Sequence, residues 1–190
     1  MRVESAILDT ALELFLAGGL AAASFEAIAE RARVSRTTIY RRWRTREDLL
    51  VAALQRLRQT NEAGVEDWTE RSLAEVIAIF EQLTVAALVD ARSMGLLRQM
   101  VALESDSPIK RQYWSTIVQP RRDIFSQMIT TARSRGELAP GPDPELLQDQ
   151  LGGAILYRAL MRPDPLDTDE AQRYVRLLLE TLGLKQDGSN

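Results

Sequence analysis

The chain has 190 residues, 45% of them apolar and 27% charged, with a formal net charge of -3; this is the composition of a globular protein able to bury a core. It contains neither cysteine nor histidine, which excludes disulfides, the usual zinc sites and Ser-His or Cys-His catalysis. The first residues carry Glu4, Asp9 and Glu13, which break any signal-peptide core, and no stretch is read as reaching the roughly 20 apolar residues of a membrane span. The expectation is a cytoplasmic protein without membrane contact.

In chain order the pattern is helical. Ile7, Leu8, Ala11, Leu12 and Phe15 repeat at helical spacing over about residues 3–17, and Gly18-Gly19 ends the run. Ser24 caps a short second helix, 25–32, with Phe25, Ile28, Ala29 and Ala32 on one face. Ser35 caps a third, from Arg36 to Trp43, and Thr45-Arg-Glu-Asp48 resembles a capping box that opens a fourth. Residues 71–90 and 93–104 read as amphipathic helices. Residues 108–135 read as a long helix that Pro120 must kink or interrupt and Gly136 ends. Asp143-Pro144-Glu145 starts a helix over 144–161, with a cap, a first-turn proline and a first-turn acid. The last helix, about 169–183, carries Val175, Leu178, Leu179 and Leu182 on one stripe, and Gly183 and a polar tail, Gln186 to Asn190, follow. The acids Asp164, Asp167, Asp169 and Glu170 read as caps and first-turn acids rather than metal ligands. The fold class is all-α, with about nine helices.

Charge is unevenly placed. Residues 1–46 hold eight Lys+Arg and five Asp+Glu, a net of +3, which leaves -6 for residues 47–190. The run from Arg31 to Arg46 has seven arginines and no acid. A basic head on an acidic body is the asymmetry of a protein with one polyanion-binding end.

Two short helices joined by about three residues, the second basic, describe a helix-turn-helix. With Ile39 and Trp43 on the core side and about 100° per residue, Thr37, Thr38, Arg41 and Arg44 fall within about 60° of the opposite face, while Tyr40 and Arg42 take the flanks. A helix in the major groove requires that arrangement: short polar or arginine side chains toward base edges, longer donors toward the phosphate walls. Arg46, in the first turn of the fourth helix, is placed for a phosphate. With Ser24 at the second helix's cap, Arg36 at the start of the third and Thr45 at the cap of the fourth, these residues make up the candidate DNA-contact set.

The run Phe25-Glu-Ala-Ile-Ala-Glu-Arg-Ala-Arg-Val-Ser-Arg-Thr-Thr-Ile-Tyr-Arg-Arg-Trp-Arg-Thr-Arg-Glu-Asp-Leu49 resembles the DNA-binding head of the TetR family of bacterial transcriptional regulators. The resemblance rests on Ile28-Ala29, Val34-Ser35, Thr38-Ile39-Tyr40, Trp43 and Arg46-Glu47. It implies base contacts from Thr37 and Thr38, phosphate contacts from Tyr40, Arg42 and Arg46, and a cap at Thr45. Arg33 stands where the family often has glycine; a left-handed backbone there costs on the order of 1 kcal/mol for a residue with a side chain, and the alternative reading of Arg33 is an added phosphate contact. Trp43 replaces the usual phenylalanine.

A weaker resemblance covers Arg135-Gly-Glu-Leu138, Asp143-Pro-Glu-Leu146, Gly152-Gly-Ala-Ile-Leu-Tyr-Arg158 and Pro165-Leu166. It implies a DNA-binding domain over 1–46 and a ligand-binding and dimerisation domain over 47–190. The last two helices would pair with those of a second chain, which nominates Gly152, Gly153, Leu156, Val175, Leu178, Leu179 and Leu182 for the homodimer interface. Tyr113, Trp114, Phe125, Met128, Tyr157 and Met161 are candidates for a ligand cavity or for ordinary core. Arg98 is a candidate for an anionic ligand, or else for a salt bridge or simple exposure. The reading is a non-enzymatic, ligand-responsive repressor that needs no cofactor, with an operator duplex, a second copy and a small-molecule effector as partners. Its rival is a helical small-molecule-binding protein or enzyme that keeps the helix-turn-helix as scaffold.

Overall fold

The computed structural model describes residues 2–61 and 71–184, all of whose regular structure is helical; the polar tail from Gln186 lies outside them. The helices are α1 (Arg2–Ala22), α2 (Phe25–Arg31), α3 (Arg36–Tyr40), α4 (Arg46–Asn61), α5 (Leu73–Val89), α6 (Ala91–Ala102), α7 (Pro108–Tyr113), a π-helical turn (Trp114–Val118), α8 (Gln119–Ser134), α9 (Pro144–Leu160) and α10 (Thr168–Thr181). Since α7, the π turn and α8 follow one another without a gap, they correspond to the one long helix expected over 108–135. Packing divides the chain into two compact units, Met1–Glu66 with Gly95–Gln119, and Asp67–Met94 with Pro120–Asn190.

The first unit is organised around α1. Ile7, Ala11, Leu12 and Phe15 lie on one buried face and meet Ile28 of α2, Ile39 of α3, Trp43, and Leu49, Leu50 and Leu54 of α4, with Met100 and Ile109 in the same cluster. Burial of each large side chain contributes roughly 1.5–3 kcal/mol. By length and apolar character, Val3–Ala22 does reach a membrane span, contrary to the expectation from sequence. Its apolar face is occupied by this core, and the helical dihedrals fail at Gly18 and at Gly19, where φ is 67° and ψ -160°. A backbone of that kind is open only to glycine, so the glycine pair does end the regular helix as expected.

Three helix ends share one motif. At the end of α2, Arg33 N–H donates to Glu30 O and Val34 N–H to Ala29 O; after α8, Gly136 and Glu137 repeat the pattern on Arg133 and Ala132; after α10, Gly183 and Leu184 repeat it on Glu180 and Leu179. The pivot residue is left-handed in each, with φ of 55°, 74° and 76° for Arg33, Gly136 and Gly183. This is the Schellman ending, in which glycine avoids a side-chain clash. Arg33 therefore holds a strained backbone. Arg33→Gly is expected to raise the stability of the first unit by about 0.5–1 kcal/mol, the relief exceeding the extra freedom glycine gives the unfolded chain. Urea unfolding followed by circular dichroism measures it, and Arg33→Val should shift the midpoint the other way.

At Pro120 the long helix is interrupted, as expected, by a π turn rather than ended. Lacking an N–H, the proline cannot donate to the preceding turn, and the chain widens just before it: Gln119 N–H reaches back to Trp114 O across the π turn. The extra residue in that turn accommodates the missing donor.

In the second unit, α10 packs along α5, burying Ala171, Val175 and Leu179. Glu81, almost buried on α5, meets Arg176 at 3.2 Å. Arg122 of α8 reaches Asp149 of α9 at 2.9 Å, and Gln148 donates back to Arg122 O and Ser126 Oγ. Phe80 and Phe125 pack with ring centroids 5.8 Å apart. The caps fall where the sequence places them: Asp143 accepts from Glu145 N–H before α9, and Asp167 and Glu170 form a reciprocal box at α10.

Ser72 and Glu75 form another box at α5. The Ser72 backbone N–H, then its hydroxyl, hold the Glu75 carboxyl below its ordinary range. The Ser93 hydroxyl and backbone N–H do the same for Asp90 ahead of α6. A depressed carboxylate contributes stability above its unfolded pKa, and that contribution is lost as pH falls through the folded value. Acidification is therefore expected to loosen the starts of α5 and α6, and Ser72→Ala with Ser93→Ala should flatten that acid limb in a pH titration of unfolding midpoints.

Candidate nucleic-acid interface

The helix-turn-helix is built from α2, the strained Arg33 turn and α3. Ser24 Oγ accepts from Ala27 N–H at 3.1 Å, and Ser35 Oγ accepts from Thr38 N–H at 3.2 Å. The regular part of α3 ends at Tyr40 rather than Trp43, yet helical bonding continues, with Arg41 N–H on Thr37 O and Trp43 N–H on Ile39 O. Thr45 and Asp48 cap α4 reciprocally, each bond 3.0 Å long. The loops on both sides of α3 are thus fixed by side-chain caps.

Burial sorts these residues as the sequence predicts, except at Thr38. Ile39 is fully buried and Trp43 nearly so. Thr37, Arg41 and Arg44 stand in solvent and have no side-chain partner among the described residues. Thr38 is half-buried, and its hydroxyl lies 2.9 Å from Ser35 Oγ. Tyr40 is 59% exposed, and its ring stands edge-on to Phe25 at 4.9 Å, which braces the phenol while leaving most of it in solvent. Phe25, Tyr40, Arg44, Thr45, Arg46 and Glu47 line one shallow concavity.

Four arginines of the run have partners that the sequence did not reveal. Arg36 is ion-paired with Glu26, Arg42 with Glu4 at 3.2 Å and Arg31 with Glu13 at 3.6 Å. Arg46 donates to Leu20 O at 2.9 Å; it ties the end of α1 to the start of α4, so its guanidinium is partly committed before any phosphate arrives. No signal within the run shows this, because every partner comes from α1 or α2.

The C-terminal candidates divide differently from expectation. Val175 and Leu179, assigned to a dimer interface, are buried inside the chain because the α10 stripe packs on α5; they are not available to a second copy. Leu178 and Leu182 are half-buried. Gly152 and Gly153 face open space where a side chain would stand, and Leu156 beside them is exposed. Tyr157 on the same helix and Met161 at its C-terminal cap, candidates for a cavity or for core, are 63% and 70% exposed. Leu146 of α9 and Leu177 of α10 are exposed as well. Phe125 is buried against Phe80 and Met128 half-buried, both in the second unit. In the first unit, Tyr113 packs on the core, Trp114 is exposed with its indole N–H on Gln119 Oε1, and Arg98 is exposed.

A capped, basic helix with a buried apolar back and an outward row of threonine and arginine defines a helix-turn-helix DNA-binding regulator. Known proteins agree. Residues 7–53 match the family described as bacterial regulatory proteins, tetR family, and residues 72–178 match the one described as tetracyclin repressor-like, C-terminal domain. The chain belongs to the TetR family. It is 28% identical over 175 residues to the HTH-type transcriptional regulator YdeS of Bacillus subtilis, covering 92% of this chain and 84% of that protein. It is 29% identical over 165 residues to the DNA-binding transcriptional repressor TetR of Mycobacteroides abscessus, covering 86% and 84%. A crystal structure of the transcriptional regulator FadR from Bacillus subtilis in complex with stearoyl-CoA shares the fold with a TM-score of 0.73 at 21% identity, covering 94% of this chain and 96% of that one. The protein is accordingly a ligand-responsive DNA-binding regulator and not an enzyme, which sets aside the catalytic rival.

Proposed function

We propose that the protein is a cytoplasmic repressor that binds a roughly palindromic operator as a homodimer and leaves it when a small-molecule effector binds. The observation that carries this reading is the exposed surface of α3 and the turn after it, where Thr37, Arg41 and Arg44 have no partner among the described residues while Ile39 and Trp43 are buried behind them. Residues 1–46 act as the DNA-binding domain and 47–190 as the ligand-binding and dimerisation domain. Thr37, Thr38, Arg41 and Arg44 read bases. Tyr40, Arg42 and Arg46 meet phosphates, Arg36 reaches the duplex near the start of α3, and Ser24 and Thr45 present the neighbouring helix starts.

Dimerisation is proposed through α9 and α10, using the open Gly152-Gly153 surface with Leu156 and the exposed Leu146, Tyr157, Met161 and Leu177, and Leu178 and Leu182 at its edge. Glycine in mid-helix costs about 1 kcal/mol against alanine. Close approach of a second helix supplies a reason for that cost. Two recognition helices would then sit about one DNA turn, or a multiple of it, apart. The stearoyl-CoA complex of the Bacillus subtilis protein supports the effector half of the reading. An effector acts only through better binding to the dimer whose heads are misplaced for DNA.

Selection of operators from random DNA tests the proposal. The expected outcome is an inverted repeat whose binding weakens steeply with salt, through counterion release at the phosphates, and which the triple variant Thr37→Ala, Tyr40→Ala, Arg41→Ala no longer binds. Binding that is indifferent to salt and survives the triple substitution overturns it.

A further inference from the structure

Five of the seven arginines between Arg31 and Arg46 form two populations in the folded head. Arg33, Arg41 and Arg44 have no partner among the described residues. Arg36 and Arg42, at opposite ends of the recognition segment, are each held by a carboxylate from another helix, Glu26 of α2 and Glu4 of α1. Both pairs lie at the surface: the side chains of Arg36 and Glu26 are 60% and 66% exposed, those of Arg42 and Glu4 35% and 48%. They are not buried supports of the fold. Each carboxylate cancels one positive charge on the face that is to meet a polyanion.

We propose that Glu26 and Glu4 are specificity-determining residues, which hold Arg36 and Arg42 off the phosphates of random DNA and release them on the operator. The inference rests on the reading of α3 as the recognition helix. On random DNA the head is held loosely, by electrostatics alone, and a carboxylate already in contact with an arginine outcompetes a phosphate that is still separated from it by water. On the operator the base contacts seat α3, which brings phosphates to hydrogen-bonding distance. A phosphate then takes the guanidinium with two parallel bonds, and an exposed ion pair gives way at little cost. The acids therefore reduce the cation count felt by every wrong sequence while leaving the right one its full set. They widen the gap between operator and random affinity without touching a base.

Salt titrations of the full-length protein on its selected operator and on a random duplex of equal length test this. Glu26→Gln should steepen the dependence of log affinity on log salt for random DNA by about 0.9 per head, equivalent to roughly eightfold tighter binding per head at 0.1 M salt, and leave the operator slope unchanged. Adding Arg36→Gln should return the random-DNA slope to the wild-type value, whereas Arg36→Gln alone should leave it unaltered. Glu4→Gln with Arg42→Gln should repeat the pattern independently. An unchanged random-DNA slope in Glu26→Gln and Glu4→Gln overturns the inference. So does a gain that persists when the arginine is also removed, since deletion of a repelling charge then accounts for it. A wild-type protein that binds no duplex in a salt-dependent way overturns the reading of α3 itself, and this inference with it.

Discussion

Phe15→Ala is expected to lower the unfolding free energy of the DNA-binding unit by about 3–5 kcal/mol, the range for deleting a large aromatic from a packed core. Phe15 is 1% exposed, and it belongs to the cluster that joins α1 to Ile28, Ile39, Leu49, Leu50 and Leu54. The cavity it leaves would open in the cluster that α1, α2, α3 and α4 all supply, so the loss falls on the packing of the whole unit. Natural domains have only about 5–15 kcal/mol in total, so the variant should show a markedly lower urea midpoint by circular dichroism. Its operator affinity should fall with the folded fraction and recover when stabilising osmolyte is added. A control at the exposed Val3, Val3→Ala, should change the midpoint by less than about 0.5 kcal/mol. A Phe15→Ala midpoint within that same margin would mean the head does not depend on this cluster.

What could be read directly from the sequence is what short-range physics decides. Ser24, Ser35, Thr45 with Asp48, Asp143 with Pro144, and Gly136 act within three or four residues of themselves, and each ends or starts a helix where the pattern places it. The face of α3 was equally legible, because Ile39 and Trp43 fix the helical phase and the exposed residues follow from it. Even the left-handed Arg33 was foreseeable as a position that prefers glycine. The partners of the arginines were not. Glu26 lies ten residues from Arg36, and Leu20 lies 26 from Arg46; nothing local links them before the helices pack. The same limit explains Val175 and Leu179. An apolar stripe at helical spacing says that a helix will be covered on that side but not by what, and α5 of the same chain covers it. Conversely, Tyr157 and Met161 had no property in the sequence that separates a cavity wall from an outward face.

The second large effect is functional. Arg41 and Arg44, in the turn that follows α3, are both exposed and without a partner among the described residues. A bidentate arginine–guanine contact discriminates by about 1–3 kcal/mol. Arg41→Ala with Arg44→Ala is therefore expected to weaken operator binding by about a hundredfold or more at fixed salt, because both heads of a dimer lose both contacts. The comparison with random DNA decides the role. If these arginines read bases, the ratio of operator to random affinity collapses toward unity and the selected operator loses preference at the positions they contact. If they meet phosphates instead, both affinities fall in parallel and the salt slope drops by about 0.9 per contact. Tyr40→Phe supplies the reference for that second behaviour: its ring remains braced on Phe25, only the hydroxyl is lost, and affinity should fall to a similar degree on every sequence. An operator ratio that survives Arg41→Ala with Arg44→Ala would place the reading of sequence on Thr37 and Thr38 alone, which have short side chains and one hydroxyl each, and would require the duplex to lie closer to the start of α3 than to its end.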